Sequence, residues 1–180
     1  ELFNGMAEMV KTAAVADSEL FRSLTAPDAQ FSMQPMLLKR VARIKDSVVK
    51  ADLYDHGIRK ILNFGHTFGH AIEVYRGVPH GVAVAFGMRV AMYLSVKKTG
   101  LVDEVYNAYS QWLASTLSAF GIPRATFTLK DIEQMLPLMH QDKKNTAEGL
   151  RCVLLKEPGA AVIDVTVGDN EVRDAFLKLA

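Results

Sequence analysis

A mainly helical fold carrying one small β-hairpin is predicted by three features of the sequence. Apolar residues recur at helical spacing through most of the chain. After Gly149 the pattern changes to two short β-rich runs, residues 150–155 and 162–167, separated by Glu157-Pro158-Gly159. There is no βαβ alternation, no Gly-x-Gly-x-x-Gly after a strand and no Walker-type loop, so the sequence offers no recognisable nucleotide fold of its own. With no internal repeat and no linker-like tract, residues 1–180 read as a single helical domain.

The elements follow in order. Residues 1–20 read as an amphipathic helix, with Asn4 as its N-cap and Met6, Met9, Val10, Ala13 and Ala14 on one face. A second helix follows Ser32 with Pro35 in its first turn, where the missing N–H costs nothing. Leu37, Leu38, Val41, Ile44, Val48 and Val49 form its buried face. A third runs from about Gly65 to Arg76. A fourth, from His80 to about Lys98, is apolar almost all round and therefore central. A fifth starts at Asp103, turns Val105, Tyr109, Trp112, Leu113, Thr116 and Phe120 to one side, and stops at Gly121 and Pro123. Thr128 caps a sixth, with Ile132, Met135, Leu136 and Met139 inward. Beyond the hairpin, a last helix from Asp169 buries Val172, Phe176 and Leu179. The first residues show no initiator Met and no leader pattern, so the chain is expected to be the later part of a longer protein.

Charge narrows the function. Twenty-one Lys and Arg against 20 Asp and Glu leave a formal charge of +1, which supplies no net field for holding a nucleic acid. Arg89 interrupts the longest apolar run, well short of the roughly 18 residues a membrane helix needs. One cysteine, Cys152, cannot form an internal disulfide, and this suits a reducing, cytoplasmic compartment.

Three of the five histidines fall within fifteen residues: His66, His70 and His80. A four-residue step puts His66 and His70 on one helix face, and His80 opens the next helix, where the chain folds back. Neutral imidazoles so grouped suit Zn²⁺ or a related divalent ion acting as a Lewis acid, commonly with one carboxylate. Glu73, three residues after His70, and Glu8 on the first helix compete for that place. Lys11, Lys50, Arg59 and Asn63, with Asp142-Lys143-Lys144-Asn145 downstream, add cations and amides suited to an anionic, oxygen-rich small molecule.

The run Leu62-Asn63-Phe64-Gly65-His66-Thr67-Phe68-Gly69-His70-Ala71-Ile72-Glu73, followed by Pro79-His80-Gly81 and Gly87-Met88, closely resembles the signature of 3-dehydroquinate synthase and its relatives, the sugar phosphate cyclases. Asn4-Gly5-Met6-Ala7-Glu8-Met9-Val10-Lys11 and Asp142-Lys143-Lys144 resemble two further motifs of that family, in the same order. The resemblance covers essentially the whole chain, but only the C-terminal, helical half of the family's architecture. It implies that an NAD-binding domain lies upstream of Glu1.

The resemblance further implies that Glu8, His66 and His80 are the metal ligands, for Zn²⁺ or Co²⁺. It moves His70 to the substrate, as a proton shuttle or hydrogen-bonding group, and makes Glu73 an acid that orients a ligating histidine. Lys11, Lys50, Arg59 and Asn63 become contacts to the substrate's carboxylate and hydroxyls, with Lys11 and Lys50 also serving the chemistry. Lys143 or Lys144 holds the phosphate end. The reaction implied converts a 3-deoxy-heptulosonate 7-phosphate-type sugar acid to a carbocycle in the shikimate pathway to aromatic amino acids. NAD-dependent oxidation, phosphate elimination, re-reduction, ring opening and an intramolecular aldol closure follow one another in one site, commonly in a homodimer.

Three departures from the family pattern stand out: Val82 follows His80-Gly81 where the family commonly carries Glu, the Lys50 to Arg59 connection is short, and the His70 to His80 loop is compact. A metal- and NAD-dependent polyol dehydrogenase is the competing enzyme reading, although a neutral polyol has no need of the lysines. From another class, the chain by itself could be a metal-binding module without turnover.

Overall fold

The computed structural model describes residues 1–26, 35–141 and 149–179. In chain order its elements are α1 (Leu2–Ala16), α2 (Ser18–Thr25), α3 (Pro35–Ala51), a short 3-10 helix (Ile58–Asn63), α4 (His66–Arg76), α5 (His80–Lys98), α6 (Asp103–Ala119), α7 (Leu129–His140), β1 (Leu150–Glu157), β2 (Ala160–Val167) and α8 (Asp169–Leu177). Among the described residues, the two strands form one antiparallel sheet and everything else regular is helix, the mainly helical fold with one hairpin that the sequence predicts.

Helix α5 is central because it has no polar face to give to solvent. From Gly81 to Ser95 only Arg89 and Tyr93 are not fully buried. Its cover comes from α1, α4, α6, α8 and β1. Two buried hydroxyls inside this packing are both paired, as burial demands. Tyr109 donates to the carbonyl of Ala85 at 2.8 Å, and Ser95 donates to Ala91 O while accepting from Leu155 N, which stitches α5 to β1. No described helix is long and apolar enough to cross a membrane.

The hairpin turns at Pro158-Gly159, where Gly159 adopts φ +88° and donates its N–H to Ala14 O at 2.8 Å. Its register slips between Cys152 and Leu154, and on the facing strand Asp164 takes φ +57°. Cys152 is buried, and that burial pushes its thiol up to about 12, so it acts as a small apolar core residue.

Four local expectations are corrected. Asn4 is not an N-cap: α1 already starts at Leu2, and the Asn4 side chain accepts from the N–H of Gly81 at 3.0 Å, tying α1 to the start of α5. The helix predicted over residues 1–20 breaks at Asp17, whose backbone turns extended and whose carboxylate accepts from Leu20 N as the N-cap of α2. On α3 only Val41 and Val48 are buried and Leu38 is exposed, because α3 is covered mainly by α1 and the 3-10 helix. Phe120 ends α6 exposed, its ring edge-on to Phe3. The predicted helix start after Ser32 lies outside the described residues.

Arg40 of α3 donates to both Asp17 oxygens, at 2.7 and 2.8 Å, so one carboxylate caps α2 and receives α3. Asp17→Ala should therefore cost about 1 kcal/mol from the cap and lower the melting temperature by about 2–4 °C, read by circular dichroism. Asp17→Asn, which keeps the capping oxygen, should recover most of the loss.

Candidate metal and substrate site

The site forms where α4 crosses α5 at close range. Gly65, with φ +76°, and Gly69 face Gly87 with no room for a side chain on Gly87, and this contact seats the first turn of α4 against α5 about two turns beyond His80. His66 and His70 project from α4 and His80 from α5. Their ring centroids are 5.1 Å (His66–His70), 5.4 Å (His66–His80) and 5.9 Å (His70–His80) apart. Helix α1 lies across the same corner and contributes Glu8 and Lys11.

Among the described residues two trios could hold a metal ion, each offering three ligand atoms within 4.8 Å of one another: Glu8, His66 and His80, and His70, Glu73 and His80. The hydrogen bonds distinguish the two ring nitrogens of the shared histidine. His80 Nδ1 lies 2.8 Å from Glu73 Oε2. A carboxylate only accepts, so the ring proton sits on Nδ1 and the Nε2 lone pair is left available. His66 repeats the arrangement, its Nδ1 donating to Phe64 O at 3.3 Å while Nε2 faces the Lys11 ammonium at 3.5 Å. Burial, aided by the charge of Lys11, lowers the His66 imidazole to about 4, so the ring is neutral near pH 7.

Both Glu8 oxygens are occupied by lysines. Lys11 donates to Oε1 at 2.7 Å and Lys45 to Oε2 at 2.8 Å. Burial opposes ionisation of Glu8, but the two ammonium groups outweigh it and hold the carboxyl at about 2. Lys11 itself is 4% exposed. Burial lowers its pKa against the pull of Glu8.

A cavity of about 310 Å³ is lined by Glu8, Lys11, Lys45, Arg59, Asn63 and His66. A second, of about 220 Å³, lies beyond Asn63 and His66 and adds Thr67, His70, Lys60, Arg151 and Asp164. Of the residues singled out in the sequence, Glu8, Lys11, Arg59, Asn63, His66, His70 and His80 are thus brought to one corner. Lys143 and Lys144 lie outside the described residues.

Lys50 is not brought there. Its exposed ammonium pairs with Asp46 one turn back on α3, at 2.6 Å. The reason is helical geometry: Lys50 is about 180° around α3 from Val41, whereas Lys45, one turn from both Val41 and Val48, lies on the inward face. Lys50→Ala should leave both the melting temperature and divalent-ion affinity unchanged.

Lys60 and Asp164 also belong to the site, although no motif in the sequence singles them out. They form a 2.8 Å ion pair that ties the 3-10 helix to β2 and walls the second cavity. Only the register irregularity in the hairpin aims Asp164 that way, and no linear pattern announces it. Val82 is buried in the core at the start of α5. Glu73 is the acid that reaches His80. Glu73→Ala should reduce divalent-ion affinity roughly 10–100-fold with the fold retained, measured by Co²⁺ titration.

Comparison with known proteins gives this geometry a setting. Residues 5–145 match the family model described as 3-dehydroquinate synthase C-terminal. A 3-dehydroquinate synthase of Dehalococcoides mccartyi (strain CBDB1) is 40% identical over 166 residues, which cover 88% of this chain and 45% of the relative. The same enzyme of strain ATCC BAA-2266 / KCTC 15142 / 195 is equally similar. The chain therefore spans about half the length of the curated relatives it matches. Among solved structures, the 2-epi-5-epi-valiolone synthase of Streptomyces hygroscopicus subsp. jinggangensis 5008, with NAD⁺ and Zn²⁺ bound, superposes with TM-score 0.78 at 25% identity, over 99% of this chain and 51% of that one. A 2-deoxy-scyllo-inosose synthase complexed with carbaglucose-6-phosphate, NAD⁺ and Co²⁺ superposes with TM-score 0.77 at 20% identity, over 98% and 52%.

Proposed function

The chain belongs to the 3-dehydroquinate synthase C-terminal family, and from that premise we propose that it is the metal- and substrate-binding half of a sugar phosphate cyclase, completed by an NAD-binding domain on a preceding segment. The substrate is a 3-deoxy-heptulosonate 7-phosphate-type sugar acid, and the products are a carbocycle and phosphate. The same reading makes the complete enzyme a cytoplasmic homodimer on the route to aromatic amino acids.

One observation carries this reading. Glu8 and His66, which converge with His80 to within 4.8 Å, line the same cavity as Lys11, Lys45, Arg59 and Asn63. A neutral polyol needs no such set of cations, whereas a carboxylate-bearing sugar acid does.

The donor set fits a divalent ion. It combines two imidazoles, each with Nδ1 against an oxygen acceptor, with one carboxylate held ionised by its lysines. Of the two trios, Glu8, His66 and His80 is the one the family resemblance assigns, and with it Glu73 keeps its hydrogen bond to His80 Nδ1 and leaves His80 Nε2 for the ion. A Zn²⁺ or Co²⁺ ion bound there supplies a Lewis acid for the reacting oxygen of the substrate. Lys11, Lys45, Arg59 and Asn63 hold the carboxylate and hydroxyls in register, so that one site serves successive steps. His70, exposed beside His66 and lining the second cavity, holds or passes a proton at the substrate. Lys143 and Lys144 are assigned to the phosphate end by their motif alone.

The reading is tested by phosphate release from 3-deoxy-heptulosonate 7-phosphate, using this chain produced together with its NAD-binding segment. Release that requires both NAD and added Zn²⁺ or Co²⁺ is expected. No release from several phosphorylated sugar acids, despite bound metal and NAD, would overturn it, and reduction of NAD by a neutral polyol alone would place the chain with polyol dehydrogenases.

A further inference from the structure

We propose that a divalent ion and an oxyanion occupy this centre cooperatively, each strengthening the binding of the other, because Lys11 and Lys45 already satisfy the carboxylate that the ion needs. The proposal rests on the assignment of Glu8, His66 and His80 as the metal ligands.

The charges show why. In an ordinary metal site the carboxylate ligand is the uncompensated negative charge that draws the ion in. Here each Glu8 oxygen already receives a lysine ammonium, at 2.7 and 2.8 Å. The His66 Nε2 lone pair also faces the Lys11 ammonium. The cavity they share is lined by three cations, Lys11, Lys45 and Arg59, against two carboxylates, Glu8 and Asp55. A dication entering that surface meets a positive excess, and Lys11, 4% exposed, has little solvent to screen it.

An oxyanion seated among Lys11, Lys45, Arg59 and Asn63 reverses the balance. It draws the ammonium groups toward its own oxygens and releases the Glu8 oxygens to the ion. Such coupling is reciprocal by linkage: whatever factor the anion adds to the ion's affinity, the ion adds to the anion's. The centre would then fill its two halves together.

The test is a spectroscopic Co²⁺ titration of the metal-free chain in sodium sulfate and in sodium chloride at matched ionic strength. Sulfate is the oxyanion probe. Binding about tenfold or more tighter in sulfate is expected, within the usual range of such couplings. In Lys45→Met, a change at a partly exposed position, Co²⁺ should bind more tightly in chloride than it does to the unaltered chain, and the sulfate effect should shrink. A purely structural lysine would produce neither change. Equal affinity in the two salts, or weaker Co²⁺ binding by Lys45→Met in chloride, would overturn the coupling while leaving the metal site intact. Absence of Co²⁺ uptake in both salts would overturn the metal assignment itself.

Discussion

Gly87→Ala is expected to lower the melting temperature by about 10 °C, since among the described glycines it is the one where an added methyl meets the closest contact. A Cβ at Gly87 would press on the carbonyl oxygen of Gly65 and lie 2.6 Å from the Gly69 nitrogen, and both partners are backbone. Side chains can rotate away from an intruding methyl; a helix backbone can only be pushed back. Overpacking typically costs about 1–3 kcal/mol, and a clash against two backbone atoms belongs at or above the top of that range. At roughly 2–4 °C per kcal/mol for a chain of this size, the shift is about 10 °C. Gly77→Asn is the control: nothing lies within 4 Å of a Cβ there, and Asn tolerates the φ of +63°. Thermal melts of the two variants check the prediction. A near-native melt for Gly87→Ala would mean that α4 and α5 do not cross as closely as described.

The consequence reaches the site, because this crossing sets the distance from His66 and His70 to His80. Packing and chemistry are linked through one glycine contact.

The second large effect concerns the ion. His66→Ala should lower Co²⁺ affinity more than a hundredfold. Four-ligand zinc sites are worth about 10–16 kcal/mol, or roughly 3 kcal/mol per ligand, and roughly 1.4 kcal/mol is a factor of ten. His66 is also held neutral near pH 7, with its imidazole lowered to about 4, so it contributes a lone pair without first losing a proton. His70→Ala serves as the comparison. It removes an exposed imidazole 5.1 Å from His66 that belongs only to the alternative trio, and it should leave Co²⁺ affinity within a few fold. Equal losses in the two variants would assign the ion to a site spanning all three histidines.

Much of the fold was legible in the sequence for a physical reason: the signals were local. Helix α7 announces itself through Thr128 and Asp131, whose side chain and backbone cap each other. The start of α5 at His80 follows Pro79, and the hairpin turn is written in Pro158-Gly159. The break at Asp17 was harder to see, because the apolar period runs on through Leu20 and Phe21 while only a capping carboxylate changes the chain direction. The 3-10 helix at Ile58–Asn63 has no distinctive period in so short a run.

The site divides along the same line. His66 and His70 are four residues apart on one helix, so their shared face could be read directly. The choice between Lys45 and Lys50 was also within reach, since five residues around a helix separate an inward position from an outward one. Two features were not. The resemblance pointed to Glu73 as an acid orienting a histidine, but that it takes His80 Nδ1 across a helix junction, and that Lys60 meets Asp164 across 104 residues of sequence, came only with the fold. Contacts of that kind are created by the fold and leave no spacing behind.

The metal ligands are tested by the position of Co²⁺ in crystals of the loaded chain, located by anomalous scattering. One ion bound by Glu8, His66 and His80 is expected, with Glu73 still hydrogen-bonded to His80 Nδ1. An ion held by His70 and Glu73 instead, with Glu8 still paired to both lysines, would contradict it.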